Sequence, residues 1–439
     1  MRLIVQNQQA WIERLARWAA TRHQVFYLSS CGQPDAADLG SYELLIGVGI
    51  RRRTIVSADL QSDWNALEKL VHSATWKFFA LAYDFNPENP STRAPSQPDA
   101  LRWPLLYMIE PEHVVTLGKR GELGVFSNSP WTVLREIVAC DPGDPATVAL
   151  KINSEGRVSM DFEQYRQKVE FIRQEIARGN LYEMNLCLET VIDDIEIPCP
   201  FALHQALISS SPTPFSSYVQ LDGMHLLCAS PERFIRRAGN RLYSQPIKGT
   251  AHRHEDPGKD RKSRDYLTHS EKERAEHIMI VDLMRNDLGR VATTGSVKVE
   301  ELCGIYPFRQ VFQMISTISC ELHDGIGFLD VLRAAYPMGS MTGAPKTIVM
   351  DYIAALEPSA RGWFSGSVGY IDPHGDFDAN VVIRSLLYDS NLNKAKYSMG
   401  GAITHDSDPR AEYAECWLKA SAIDALLRRS VEAAQWTTA

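Results

Sequence analysis

The chain has 439 residues, 44% hydrophobic and 23% charged, a balance that excludes disordered and fibrous classes and allows a large buried core. A formal net charge of -8, with no cationic run longer than Arg51, Arg52 and Arg53, gives nucleic acid no basic face and excludes it as an expected partner. No apolar run approaches the ~20 residues of a spanning helix, and the opening "MRLIVQNQQAWIERLARW" lacks a signal peptide's apolar stretch, so a cytoplasmic protein with no membrane partner is expected.

In chain order, the first part is irregular, with short strands such as "YELLIGVGI" and "KFFALAYDF". Residues 86–104, "NPENPSTRAPSQPDALRWP", concentrate proline, serine and asparagine and predict a surface loop. A polar stretch over 141–165 separates two textures, and a boundary near residue 157 divides an N-terminal subdomain, 1–157, from a second domain, 158–432. There the spacing predicts a helix over 161–180 and a strand over 182–192. The strands "HLLCASPERFIRR", "GSVGYID", "FDANVVIRSLLYD" and "KAKYSMGGAIT" follow, with helices at 270–287, 328–336, 345–356 and 409–428. Strands in succession without helices between them predict an α+β fold, with large mixed or antiparallel sheets packed together and helices on the outer faces.

Eight cysteines occur without a Cys-x-x-Cys pair, which argues against a zinc site and a disulfide framework. Gly-x-Ser-x-Gly and His-Glu-x-x-His are also absent. The stretch "GSMTGAPKT" (339–347) lacks the four-residue glycine spacing and adjacent Gly-Lys of a phosphate-binding loop, so an ATPase reading is rejected.

Two helices carry Glu-x-x-Glu. In residues 269–289, Glu273 and Glu276 share a face. Glu273 also fits a capping box with Ser270, and Glu276 fits plain surface charge. In the helix that begins near Pro409, capped by Ser407 or Asp408, the pair is Glu412 and Glu415, with Lys419 one turn on and able to form an ordinary intrahelical ion pair with Glu415. Carboxylate oxygens on rigid helices suit Mg²⁺, which keeps several of its waters, but spacing alone leaves open whether the pairs meet. Lys248, in "YSQPIKGTAHRH" (243–254), stands on a tight loop where a lysine ordinarily faces water.

The ordered motifs "SPERF" (230–234), "PIKGT" (246–250), "RAEHIMIVDLMRNDLGRVA" (274–292), "GSMTGAPK" (339–346), "GSVGY" (366–370), "VVIRS" (381–385) and "GGAITHDSDPRAEYAE" (400–415) resemble the chorismate-utilising enzymes, over roughly residues 160–430. Within that family the aminodeoxychorismate synthase branch carries Pro-Ile-Lys-Gly-Thr where the anthranilate synthase branch typically carries Pro-Ile-Ala-Gly-Thr, and this chain has the lysine. Isochorismate-forming members place a water-activating lysine where this chain has Glu183. The usual residue at that position in the other branches is glutamine, so Glu183 departs from both patterns. Gln313, where a histidine is common, and Ala402, in place of a third glycine, depart as well.

The resemblance implies Mg²⁺ held directly by Glu276 and Glu415, with Glu273 and Glu412 acting through metal-bound waters. It implies chorismate carboxylates bound by Arg384 and Lys419, and a pocket completed by Tyr370, Ser340, Thr250 and the Gly400-Gly401 backbone. Lys248 would attack C2 as nucleophile and Glu232 would protonate the departing C4 hydroxyl. Ammonia would then enter at C4, supplied by a separate glutaminase subunit, since no amidotransferase nucleophile motif occurs and no fused lyase is expected past residue 430. The alternative is ortho-amination by an anthranilate synthase component I.

Overall fold

The computed structural model describes residues 1–34, 36–40, 42–57, 60–87, 98–140 and 150–437, with side chains described for all of these except 60–63 and 429–437. Among the described residues two large sheets, of 12 and 10 strands, contain every strand but two, and each recorded pairing is antiparallel.

Strand alternation builds the layers. Successive side chains of a strand point to opposite faces, so in Lys77–Leu81 of the smaller sheet Phe78 and Ala80 enter one core while Phe79 and Leu81 enter another. In Val25–Ser29 of the larger sheet, Phe26 and Tyr27 divide in the same way. The shared core, with Phe26, Leu45, Leu226 and Leu387 meeting Phe78, Ala80, Tyr107 and Val368, lies between the sheets. Outside the larger sheet pack the helices Gln8–Ala20, Phe162–Ala177, Pro200–Ser210 and Pro409–Thr437 through Trp18, Tyr165, Leu207 and Cys416. Outside the smaller sheet pack Glu271–Gly289 and Phe328–Ala335 through Ile280, Met284 and Leu332. The expected α+β class, with helices on the outer faces, is what forms.

Both sheets run through the residue 157 boundary. Val25–Ser29 pairs with Phe215–Leu221, and Lys77–Leu81 pairs with Ser367–Ile371, so the expected halves share two continuous sheets. Of the loop expected over 86–104, residues 88–97 lie outside the described residues. Its last part is not surface: Leu101 and Trp103 are buried in the inter-sheet core, where the Trp103 indole donates to Asp389 at 2.9 Å and meets Trp363 edge to face. Of the polar stretch, 141–149 lie outside the described residues.

Candidate active site

The elements that carry the sequence motifs converge. The strand Glu183–Ile192 pairs with Lys394–Ile403 from Met184 to Ile192, opposing Leu186 to Gly401 and Cys187 to Gly400. Gly400 is required by this packing, because a Cβ there would lie 2.5 Å from Cys187 Sγ. At the start of the same strand, Glu183 pairs with Ala344 of the "GSMTGAPK" segment. Lys346 ties that segment to the helix Glu271–Gly289 through a 2.5 Å ion pair with Asp287. The strand Ile247–His252 lies against Val311–Glu321, with a register shift between Lys248 and Thr250. Gly249, at φ +77, occupies that irregularity, and a Cβ on it would lie 3.0 Å from Glu273 Oε2.

Lys248 does not face water. Its Nζ donates to Glu183 Oε1 at 2.7 Å, and the Glu183 side chain is completely buried. Burial pulls the lysine pKa down, but the Glu183 carboxylate, with Glu276 and Glu232 behind it, outweighs burial and holds the amine above its ordinary value. Glu232 is buried too, and desolvation pushes its carboxyl up to about 7 against a hydrogen bond from Ser340 and the charges of Lys248 and Arg384. A carboxyl held near neutrality can keep a proton to give away. Arg384 stands beside Glu232 with its own pKa lowered by burial, and it makes no ion pair within 4.0 Å among the described residues. Its φ of 52 is uncommon for a side-chain-bearing residue and is the kind of outlier that clusters at binding sites.

The two Glu-x-x-Glu pairs approach each other. Ser270 caps its helix by accepting from the Glu273 N–H at 3.4 Å, while the Glu273 carboxylate turns toward Gly249. Asp408 is the cap of the second helix, accepting from the Ala411 N–H at 2.9 Å ahead of Pro409. Thr404, just before that cap, donates to Glu276 Oε1 at 3.4 Å and joins the two helices. Burial raises Glu276 to about 7, with Glu183 and Glu273 pushing in the same direction. Glu273 and Glu412 are likewise raised by burial and by the nearby Glu415. Glu415 is the exception, because Lys419 at 2.8 Å more than offsets burial and lowers it. Lys272, 3.9 Å from Glu276, feels all four carboxylates, which hold its ammonium above its ordinary value against burial.

This is a hard, all-oxygen donor set whose mutual repulsion a divalent cation would relieve, and in that respect the residues fit Mg²⁺. Among the described residues no group of three or more acidic, His or Cys side chains is already gathered tightly enough to hold a metal ion. Lys272 and Lys419 supply the positive charge.

Other expected residues are distributed unevenly. Ser340, expected in the substrate pocket, is a hydrogen-bond neighbour of Glu232. Lys419 donates to the Gly400 carbonyl at 3.0 Å, and a Cβ on Gly401 would lie 3.4 Å from Glu412 and 3.8 Å from Lys419. Thr250 is exposed beyond the register shift. Tyr370 is not brought to this cluster: on its strand it shares a face with Val368, and its ring packs against Tyr42 and Trp76 beside a separate inter-sheet pocket that also contains Arg233 and Asp378. The motif "GSVGY" gives no sign of which strand face its tyrosine takes.

Three neighbours were not singled out by the sequence. His277, next to Glu276, is fully buried, bonded to Ser316 Oγ at 2.6 Å and pushed down to about 4 by burial and Lys248, so it is neutral. Asn185 donates to the Ser340 carbonyl at 3.1 Å and fixes that loop. Lys272 is the third. A charged or amide residue one position from a motif glutamate, or inside the apolar strand "LYEMNLCLETVI", was the signal available.

The two-sheet α+β fold thus gathers a buried lysine, a buried glutamate raised to about 7, an arginine and two neighbouring Glu-x-x-Glu pairs. The chain belongs to the chorismate binding enzyme family, which it matches over residues 21–425. It is 40% identical over 275 residues to the aminodeoxychorismate synthase component 1 of Escherichia coli, covering 62% of this chain and 59% of that protein. It is 36% identical over 268 residues to that of Bacillus subtilis, covering 61% and 56%. The chain therefore spans less than two thirds of the length of these relatives. It is also 35% identical over 349 residues to the anthranilate synthase component 1 of Thermus thermophilus, covering 75% and 73%. The anthranilate synthase component I structure from Streptococcus pneumoniae shares the fold at TM-score 0.74 and 22% identity, covering 87% and 92%. The menaquinone-specific isochorismate synthase of E. coli shares it at 0.75 and 19%, covering 97% and 94%. Among the described residues no helix is long and apolar enough to cross a membrane.

Proposed function

We propose that the chain aminates chorismate at C4 to give 4-amino-4-deoxychorismate, a precursor for p-aminobenzoate and folate, in keeping with the name of its aminodeoxychorismate synthase relatives. The observation that supports this reading is one buried lysine, Lys248, held 2.7 Å from the buried carboxylate Glu183 and within electrostatic reach of a second buried carboxyl, Glu232, that burial raises to about 7. This is a nucleophile paired with an acid.

Arg384 binds a substrate carboxylate, for which its planar guanidinium is suited. Lys248 first gives Glu183 the proton their ion pair shares; its nitrogen then forms a bond to C2, the ring alkene shifts, and the C4–O bond breaks. The hydroxyl leaves as water with the Glu232 proton, and the proton held by Glu183 returns Glu232 to its acid form. Ammonia then bonds to C4, the alkene shifts back, and the C2–N bond to Lys248 breaks. Glu276 and Glu415 would hold Mg²⁺ directly, with Glu273 and Glu412 reaching it through water. When bound, the ion supplies Lewis-acid activation of the ring carboxylate. The "component 1" in the relatives' names fits a separate glutaminase subunit as the ammonia source, for which ammonium salts would substitute.

Chromatography of products from chorismate, Mg²⁺ and ammonium tests the reading. A product converted to p-aminobenzoate only after an aminodeoxychorismate lyase is added supports it. Direct release of pyruvate and ortho-aminobenzoate overturns it in favour of the anthranilate synthase reading.

A further inference from the structure

Glu183 carries more than its ion pair. It opens the strand Glu183–Ile192, and its backbone is clamped by Gly343, where a Cβ would lie 2.1 Å from the Glu183 carbonyl oxygen. Its side chain is 0% exposed, Oε1 accepts from Lys248, and Oε2 is buried without a hydrogen bond to any described residue. A buried carboxylate oxygen is costly to leave without a donor. The donor has to be small, because the other oxygen of the same group is 2.7 Å from the amine that would react.

We infer that Glu183 Oε2 receives the incoming ammonium and takes one of its protons, so that one carboxylate serves both amines of the reaction. This rests on the reading of Lys248 as nucleophile. After the first displacement Lys248 is a protonated secondary amine, Glu232 is an acid again and Glu183 is anionic. Ammonium gives a proton to Oε2 and becomes ammonia. Its nitrogen bonds to C4, the C2–N bond breaks, and Lys248 departs as a neutral amine while the product keeps an ammonium group. Glu183 then returns its proton to Lys248, which restores the ion pair seen in the structure. Protons and charge balance over the cycle with no further reactant. A glutamine at this position could accept a hydrogen bond from ammonia but could not take the proton of ammonium.

The test separates the two half-reactions at pH 7.5. Wild type and Glu183→Gln are incubated with chorismate and Mg²⁺ without ammonium, and formation of the lysine adduct is followed by intact-protein mass spectrometry. Ammonium chloride is then added below saturation and loss of the adduct is followed. The variant should form the adduct at least as fast as wild type, because Lys248 has lost the carboxylate that holds it protonated, and should discharge it at least ten-fold more slowly. Discharge at the wild-type rate overturns the inference. So does a loss of Mg²⁺ affinity in the variant with discharge unchanged, which would assign Oε2 to the cation. If Glu183→Gln does not fold, Glu183→Asp carries the test, with slowed discharge and preserved adduct formation expected. No adduct in the wild type would instead overturn the nucleophile reading beneath it.

Discussion

Lys248 Nζ and Glu183 Oε1 lie 2.7 Å apart in a pair joining the strand Ile247–His252 to the strand Glu183–Ile192, with side-chain exposures of 12% and 0%. Removing one partner of such a pair strands a buried charge. Lys248→Ala should therefore lose about 3–5 kcal/mol of stability in urea unfolding, together with its chorismate chemistry. The double variant Lys248→Met, Glu183→Gln should regain most of the stability and none of the activity. Equal stability of the double and single variants would show that the pair is not coupled.

Glu232 has a pH signature. Its folded-state pKa is raised to about 7 by burial, so the folded chain holds a proton that the unfolded chain releases near 4.5. That contribution is complete below the unfolded value and is lost as pH rises through about 7, amounting to about 3 kcal/mol at most. Glu232→Gln should match the wild type near pH 4.5 and melt higher at pH 8, while losing roughly 10²- to 10⁴-fold in turnover as expected for a missing general acid. A lower melting temperature at pH 8 would contradict the burial argument.

Cation binding should be visible without catalysis. Glu276, Glu273 and Glu412 are all raised by burial and crowding, so a divalent cation should stabilise the chain by about 2.7 kcal/mol at 100 times its dissociation constant. Differential scanning fluorimetry at pH 7.5 should show a rise with Mg²⁺ that Glu276→Gln abolishes. The same variant in the absence of cation should melt at or above the wild type, because one crowded carboxylate is gone.

Gly249 tests the backbone beside the nucleophile. It sits at φ +77 with Glu273 and Leu267 each 3.0 Å from where a Cβ would be. Gly249→Ala should cost more than ~1 kcal/mol and slow adduct formation by displacing Lys248. Gly179 has a similar φ of +80 but nothing within 4 Å, so Gly179→Ala should show the backbone cost alone.

Much of the architecture was legible because strand alternation and turn residues are local signals. The expected strand over 182–192 forms as Glu183–Ile192, and the expected helix over 328–336 forms as Phe328–Ala335. The helix Pro257–His269 was not legible, because it is polar nearly throughout and buries only Leu267. At the site, sequence pattern put glutamates in pairs on helix faces, but their meeting depends on Thr404 bonding to Glu276 across 128 residues of chain. The partner of Lys248 was hidden for the same reason: Glu183 lies 65 residues away and read only as a departure from glutamine. Tyr370 belonged to a motif whose glycine spacing is local, while the face its ring takes is decided by packing against Tyr42 and Trp76.

The most direct test of Lys248 as nucleophile is peptide mapping by mass spectrometry after incubation with chorismate and Mg²⁺ in the absence of ammonia. A nucleophilic Lys248 predicts an added mass of chorismate less one water on the peptide containing it, absent in Lys248→Ala. An adduct on another residue, an adduct that persists in Lys248→Ala, or chorismate turnover in that variant at the wild-type rate would contradict it.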